Sequence, residues 1–153
     1  MFVMLDRSDS FLYLYDKEDL LSLSEGKADT VRFRKCQGKQ LLRSTDLSQT
    51  GLTGAELSES RLEDTDLSLA HLGETNLRGA HLNEAKLNGA CFYDTDLGGA
   101  DLSGADLSDD EGRFDSGARM IRALLAGADL SGANLTNADL SGADLTNARI
   151  TEE

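Results

Sequence analysis

From residue 47 onward a large apolar side chain recurs at every fifth position. Leu holds the place at 47, 52, 57, 62, 67, 72, 77, 82 and 87, Phe at 92, and Leu again at 97, 102 and 107. The series resumes at Met120 and runs through Leu125, Leu130, Leu135, Leu140 and Leu145 to Ile150. Two residues before each of these stands a small side chain: Ala, Thr or Ser in the first block, and Ala throughout the second, from Ala118 to Ala148. A period of five suits neither regular element. Five residues of α-helix advance about 500°, so successive leucines would spiral around the cylinder and form no stripe. A continuous strand needs a period of two. Within one unit the small residue and the leucine do obey that period and share a face. The next small residue then follows after three positions, so the chain must bend once in every five residues.

The residues after the leucine supply the bend. The second position past it is Gly in eight of the twenty units, Asn in two and Asp in three, the types that best tolerate left-handed backbone. The position between is mostly Ser or Thr, whose hydroxyls can bond nearby backbone. A large apolar residue in every unit excludes low-complexity disorder. Thr or Ser at the small positions 45, 50, 60, 65, 75 and 95 is expected to bond to local backbone. An outward change such as Asp101→Ala should have little effect on stability.

These units, typified by Ala128-Asp129-Leu130-Ser131-Gly132, resemble the pentapeptide-repeat family, whose pattern is A(D/N)LxX. The resemblance covers about Thr45 to Thr151. It implies an all-β fold, a right-handed quadrilateral β-helix with four pentapeptides per coil. Leucine would fill the axis, and each coil would be held mainly by its neighbours.

Eight extra residues, 110–117, separate the thirteenth unit from the fourteenth. An insertion at a solenoid corner protrudes as a loop, and such loops commonly lie on a binding face. Asp110, Glu111, Arg113, Phe114 and Asp115 are therefore the candidate partner-binding loop. Their acids lack the spacing of an EF-hand calcium site. As a pure insertion the loop leaves five coils of four units. Arg61, His81, Asp101, Asp129 and Arg149 would then stack as one outward ladder, and Gly51, His71, Cys91, Arg119 and Asp139 as another. His71 beside Cys91 suggests metal or nucleophile chemistry, yet that outward position is generally polar and solvated.

Residues 1–44 read differently from the repeat domain 45–153. Phe11–Tyr15 and Val31–Arg34 resemble strands, Asp16 can cap a short helix, and five of the eight aromatic residues lie here. We expect a small α/β cap over the first coil. At the other end Leu135, Leu140, Leu145 and Ile150 would form an open apolar edge. That edge is expected to join two copies end to end as a homodimer.

Charge and composition narrow the function. Residues 45–153 hold seven Lys or Arg against twenty-one Asp or Glu, a net of −14. Such a body repels nucleic acid and anionic membrane and favours basic partners, so direct binding to either is not expected. Two distant cysteines suggest neither a disulfide framework nor a zinc site. No apolar run reaches the length of a membrane span or signal-peptide core, which leads to the expectation of a cytoplasmic protein. With two histidines, no converging triad and no strand–GxGxxG–helix fingerprint, neither an enzyme nor a cofactor is expected. The expected role is a protein-interaction scaffold of unknown partner. The alternative comes from the resemblance: some members protect type II topoisomerases such as gyrase by imitating duplex DNA. Five coils of about 4.8 Å make a rod of roughly 24 Å, with about one net charge per 1.7 Å, close to the linear charge of duplex DNA.

Overall fold

The computed structural model describes residues 42–109 and 117–151, and both stretches belong to one solenoid. The expected cap over residues 1–44 lies almost entirely outside the described residues. Parallel bridges join Asp46 to Asp66, Asp66 to Lys86 and Lys86 to Asp106, a register of twenty residues, or four pentapeptides per coil. Past the insertion the partners become Cys91 with Arg119 and Asp106 with Asn134, displaced by the eight added residues and by nothing else. The insertion is therefore pure, as the spacing predicts. Four ladders define four sides. Side 1 carries residues 46, 66, 86, 106 and 134, and side 2 carries 51, 71, 91, 119 and 139. Side 3 carries 56, 76, 96, 124 and 144, and side 4 carries 61, 81, 101, 129 and 149. Both outward ladders named from the sequence are present.

Each side is too short to form a strand of its own. Every unit contributes a single bridged residue to its ladder, and two turn residues follow at once. The turns repeat one geometry. The small residue donates its N–H to the carbonyl of the preceding axial residue, as in Ala100 to Leu97 at 2.9 Å. The residue before it has positive φ at every corner from Ser44 to Gly104 and from Arg122 to Asn147, between 54° and 70°. A bond from first to fourth residue with positive φ at the third is the signature of a type II turn. Glycine meets that demand freely, whereas Leu69 and Arg122 adopt it against their own preference.

The axis is apolar and continuous. Leu62 through Leu107, with Phe92 among them, and then Met120 and Leu125 have essentially no exposed surface. Burying each such side chain contributes about 1.5–3 kcal/mol before chain entropy is subtracted. The repeat also reaches one unit further back than Thr45. Leu42 is buried on the same axis, and its carbonyl accepts the turn bond of Thr45.

One unit accounts for all of its backbone donors. In Ala100–Gly104, Ala100 closes the turn, Asp101 donates to Ala80 of the previous coil, and Leu102 and Gly104 donate to Asp129 and Ser131 of the next. The remaining N–H, that of Ser103, donates to Asp101 Oδ1 at 3.0 Å, and Ser103 Oγ donates to the same oxygen. All ten bridging Asp and Asn residues of the solenoid accept the N–H two positions on in this way. The acid of the repeat is thus part of the fold. The inward hydroxyls divide into two kinds. Thr50 and Ser60 bond to local carbonyls as expected, but Thr65, Thr75 and Thr95 donate to Leu42, Leu52 and Leu72 of the preceding coil at 2.6–2.7 Å. Coil stacking brings those carbonyls within reach, and sequence neighbours do not.

Candidate functional site

The insertion leaves the solenoid at the corner between sides 1 and 2, and its roots are tied down. Ala118 donates its N–H to the carbonyl of Leu107 at 2.9 Å, so the usual turn bond closes across a long excursion. On the way out, Ser108 bonds to Asp106 and accepts the side-chain amide of Asn88 from the coil before. Asn137, from the coil after, donates Nδ2 to Asp109 at 3.0 Å. On the way back Gly117 passes so close to Asn137 that an added Cβ would overlap its carbonyl oxygen and lie 2.7 Å from its carbonyl carbon. Both roots are therefore clamped between neighbouring coils. The proposed contact residues Asp110, Glu111, Arg113, Phe114 and Asp115 lie outside the described residues. The sequence reading missed the root residues Asn88, Asn137 and Gly117, although the glycine directly before Ala118 was a visible signal.

Side 2 differs from the other three. Its bridging positions are Gly51, His71, Cys91, Arg119 and Asp139, and the positions two further on are Thr53, Gly73, Tyr93, Ile121 and Ser141. One acid and one base make this side neutral. Side 1 sets Asp46, Asp66 and Asp106 against Lys86, and side 3 sets Glu56, Asp96 and Asp144 against Arg78. Side 4 balances Glu63, Asp101 and Asp129 with Arg43, Arg61 and Arg149. At the centre of side 2 the guanidinium of Arg119 lies 5.0 Å from the centroid of the Tyr93 ring, within cation–π range. At its far corner Arg122 grips Asp94 with two nitrogens, one of them at 2.7 Å. That hydrogen bond holds the Asp94 carboxyl below its ordinary value.

His71 and Cys91 are bridge partners on this side, as the ladder implies, and the Cys91 thiol is free. Among the described residues no three His, Cys, Asp or Glu side chains gather as a metal set. Burial pushes Glu63 up, but its own N–H and the Arg61 guanidinium outweigh it and hold it low; the other four perturbed carboxyls belong to the fold. Asp129, Asp139 and Asp144 are held low, first by the side chains of Ser131, Ser141 and Thr146 and then by the same residues' N–H groups. Burial pushes Asp106 up, but Ser108 and Asn88 outweigh it and the net shift is downward.

The last described coil is more open than the rest. Leu135, Leu140 and Leu145 are half-buried against the core, and Ile150 is 53% exposed. The N–H groups of those three leucines and the carbonyls of Ala133, Ala138, Ala143 and Ala148 make no backbone hydrogen bond among the described residues.

Comparison with known proteins agrees with this geometry. No curated protein sequence matches the chain. The family model described as pentapeptide repeats matches in eight copies, over residues 40–68, 60–99, 70–109 and 116–151. Among solved structures, the pentapeptide repeat protein Rfr23 of the cyanobacterium Cyanothece 51142 is 34% identical with a TM-score of 0.59, covering 65% of this chain and 63% of that one. HetL of Nostoc sp. strain PCC 7120, described as involved in regulating heterocyst differentiation, is 28% identical with a TM-score of 0.52, covering 72% and 63%. QnrB1, a plasmid-mediated fluoroquinolone resistance protein, is 20% identical with a TM-score of 0.42, covering 71% and 59%. The chain thus spans less than two thirds of the length of each. The likeness to Rfr23 and HetL implies the right-handed quadrilateral β-helix. With the register of twenty, the turn at every fifth residue and the family model over more than half its length, the chain belongs to the pentapeptide-repeat family.

Proposed function

We propose that the protein is a non-enzymatic interaction scaffold whose binding edge is the corner between sides 1 and 2. The observation that carries this reading is the closure of the Leu107–Ala118 turn bond across the insertion. Eight residues are added while the coils above and below keep their register, and the turn bond closes as it does at a plain corner. A segment inserted without change of register and anchored at its roots is suited to presenting side chains to a partner. Removing residues 110–117 tests this. The shortened chain should melt within a few degrees of wild type, because its units then run without a break. It should also lose the stoichiometric partner that wild type captures from its native lysate. A deletion variant that keeps the partner, or a wild type that captures none, would count against the scaffold.

The DNA-imitating, gyrase-directed role has the net charge in its favour. The acids are unevenly arranged, however: sides 1 and 3 are acidic, and sides 2 and 4 are neutral. Ten bridging Asp and Asn residues are also occupied by the fold. Gyrase supercoiling assays over a salt series decide it. Inhibition that fades steeply with salt would favour imitation.

The end-to-end homodimer is a separate proposal. The edge of the last described coil offers leucine N–H donors and alanine carbonyl acceptors together, so a two-fold mate could satisfy both. Light scattering over a concentration series, on wild type and Ile150→Lys, tests it. A wild type that is monomeric at every concentration rules it out.

A further inference from the structure

Within that scaffold reading, we infer that side 2 is a docking strip for carboxylates, taking an acidic helix of a partner protein along the solenoid axis. Each unit directs one outward N–H at its bridging side chain. Ten times in this chain the group is occupied by an Asp or Asn oxygen, at 2.9–3.2 Å. On side 2 four consecutive coils leave it empty, because Gly51, His71, Cys91 and Arg119 stand where the acceptor would be. Among the described residues the N–H groups of Thr53, Gly73, Tyr93 and Ile121 donate to nothing. Among the described residues the same donor is also unfilled at Asn88 on side 1, at Ser58 and Ala126 on side 3, and at Asn83 and Thr151 on side 4, but on no other side over four consecutive coils. The same backbone geometry that binds the protein's own carboxylates is thus presented as an open row.

The row selects its ligand by chemistry. It offers donors without acceptors, so carboxylate oxygens suit it and N–H or ammonium groups do not. Arg119, exposed and stacked over Tyr93, adds a charged donor beside the Tyr93 and Ile121 positions. Half-buried Tyr93 and Ile121 supply apolar contact between the polar points. The bridging and following positions of side 2 balance in charge, and its far corner adds exposed Glu74 and Asp94 against Arg122, so an acidic segment meets a net charge of only −1 there. Successive coils repeat at about 4.8 Å. The turns of a helix repeat at about 5.4 Å, and long Glu side chains can absorb that difference over three intervals. The unfilled donors are a local departure from the repeat, of the kind found where function overrides fold.

The probe is a synthetic helical peptide with Glu on one face and Leu beside it, titrated into the full chain at 0.15 M salt. There the repulsion from the acidic body is screened beyond about 8 Å. The amide resonances of Thr53, Gly73, Tyr93 and Ile121 should move downfield together while that of Asn88 stays still. Cys91→Asp gives Tyr93 N–H a carboxylate from its own chain. It should melt no lower than wild type and bind the peptide roughly fivefold more weakly, the worth of about one hydrogen bond. Lys86→Asp makes the same change on side 1 and should leave binding unaltered. If Cys91→Asp folds poorly, Arg119→Gln carries the test, with a several-fold loss expected. The inference is overturned if the four amides stay still, if Asn88 moves equally, or if the side 2 variant binds like wild type. A native partner captured by wild type and kept by both side 2 variants would sink this inference and leave the scaffold standing.

Discussion

Sides 1 and 2 share a backbone, a register and an axis, yet treat the same outward N–H in opposite ways. On side 1, Asp46, Asp66, Asp106 and Asn134 fill it from within, with Lys86 the exception. On side 2 only Asp139 does so. The difference shows that the bridging position has two uses. An Asp or Asn there completes the unit's own hydrogen bonding. Any other residue leaves a donor facing outward and frees the side chain for other work. The acidity of the repeat is then largely a by-product of self-satisfaction, and side 2 is the side that lacks it over four consecutive coils.

The comparison presumes that inside and outside are independent, and the axis is the place to break it. Leu77→Asp puts a charge among fully buried side chains, where no partner waits. We expect loss of several coils, read as collapse of the far-ultraviolet signal and of the cooperative melt. A variant that melts like wild type would overturn the assignment of inward and outward positions. Next in size is Gly117→Ala, where the new methyl meets the Asn137 carbonyl group. Backbone cannot swing aside as a side chain can, so a cost of about 1–3 kcal/mol is expected in denaturant unfolding. Gly51→Ala, at a position with open space around it, is the control and should be nearly neutral.

A finer test returns to the outward donor. The sequence alone suggested that Asp101→Ala would be almost silent. Its carboxylate accepts both the N–H and the hydroxyl of Ser103, so we now expect a loss of about 0.5–1.5 kcal/mol. Cys91→Ala on side 2 removes no such bond and should stay within about 0.5 kcal/mol. Equal costs would erase the distinction between the two sides. The smallest effect is with pH. Asp129, Asp139 and Asp144 titrate lower in the folded chain than in the unfolded, whose carboxyls lie near 3.8. A depressed carboxyl contributes stability above its unfolded value and loses it as pH falls through the folded one. The melting temperature should therefore be level in this respect from pH 7 to about 5 and decline below about 4. A decline already complete at pH 5 would contradict these shifts.

Much of this was legible in the sequence because it depends on period. Leucine at every fifth place gave the axis, Gly and Asn gave the corners, and the count of eight between Asp109 and Ala118 gave the register across the insertion. The Asp-to-N–H bond was also written there, as Asp-Leu-Ser in unit after unit, but composition drew attention to charge instead of to the acceptor. The bonds of Thr65, Thr75 and Thr95 could not be read from neighbours, since their partners lie twenty-three residues away and arrive only when coils stack. The same holds for Asn88 and Asn137, which look like ordinary polar fillers until the loop roots are set between them. The cap expected over residues 1–44 has no repeat to fix a register, and the strands and helix expected there rest on local composition alone.

The hydrogen bond from Ala118 to Leu107 makes the solenoid indifferent to the length of what it encloses. Closure happens at the two ends of the excursion, and the coils on either side respond to those ends alone. The entropy of closing a flexible loop rises only logarithmically, about 0.6 kcal/mol for each doubling in length. A corner of this kind therefore works as a grafting point. Sequences of very different size can be exchanged between the same two residues at small thermodynamic cost, and the roughly square rod beneath would carry them at the same corner, beside side 2.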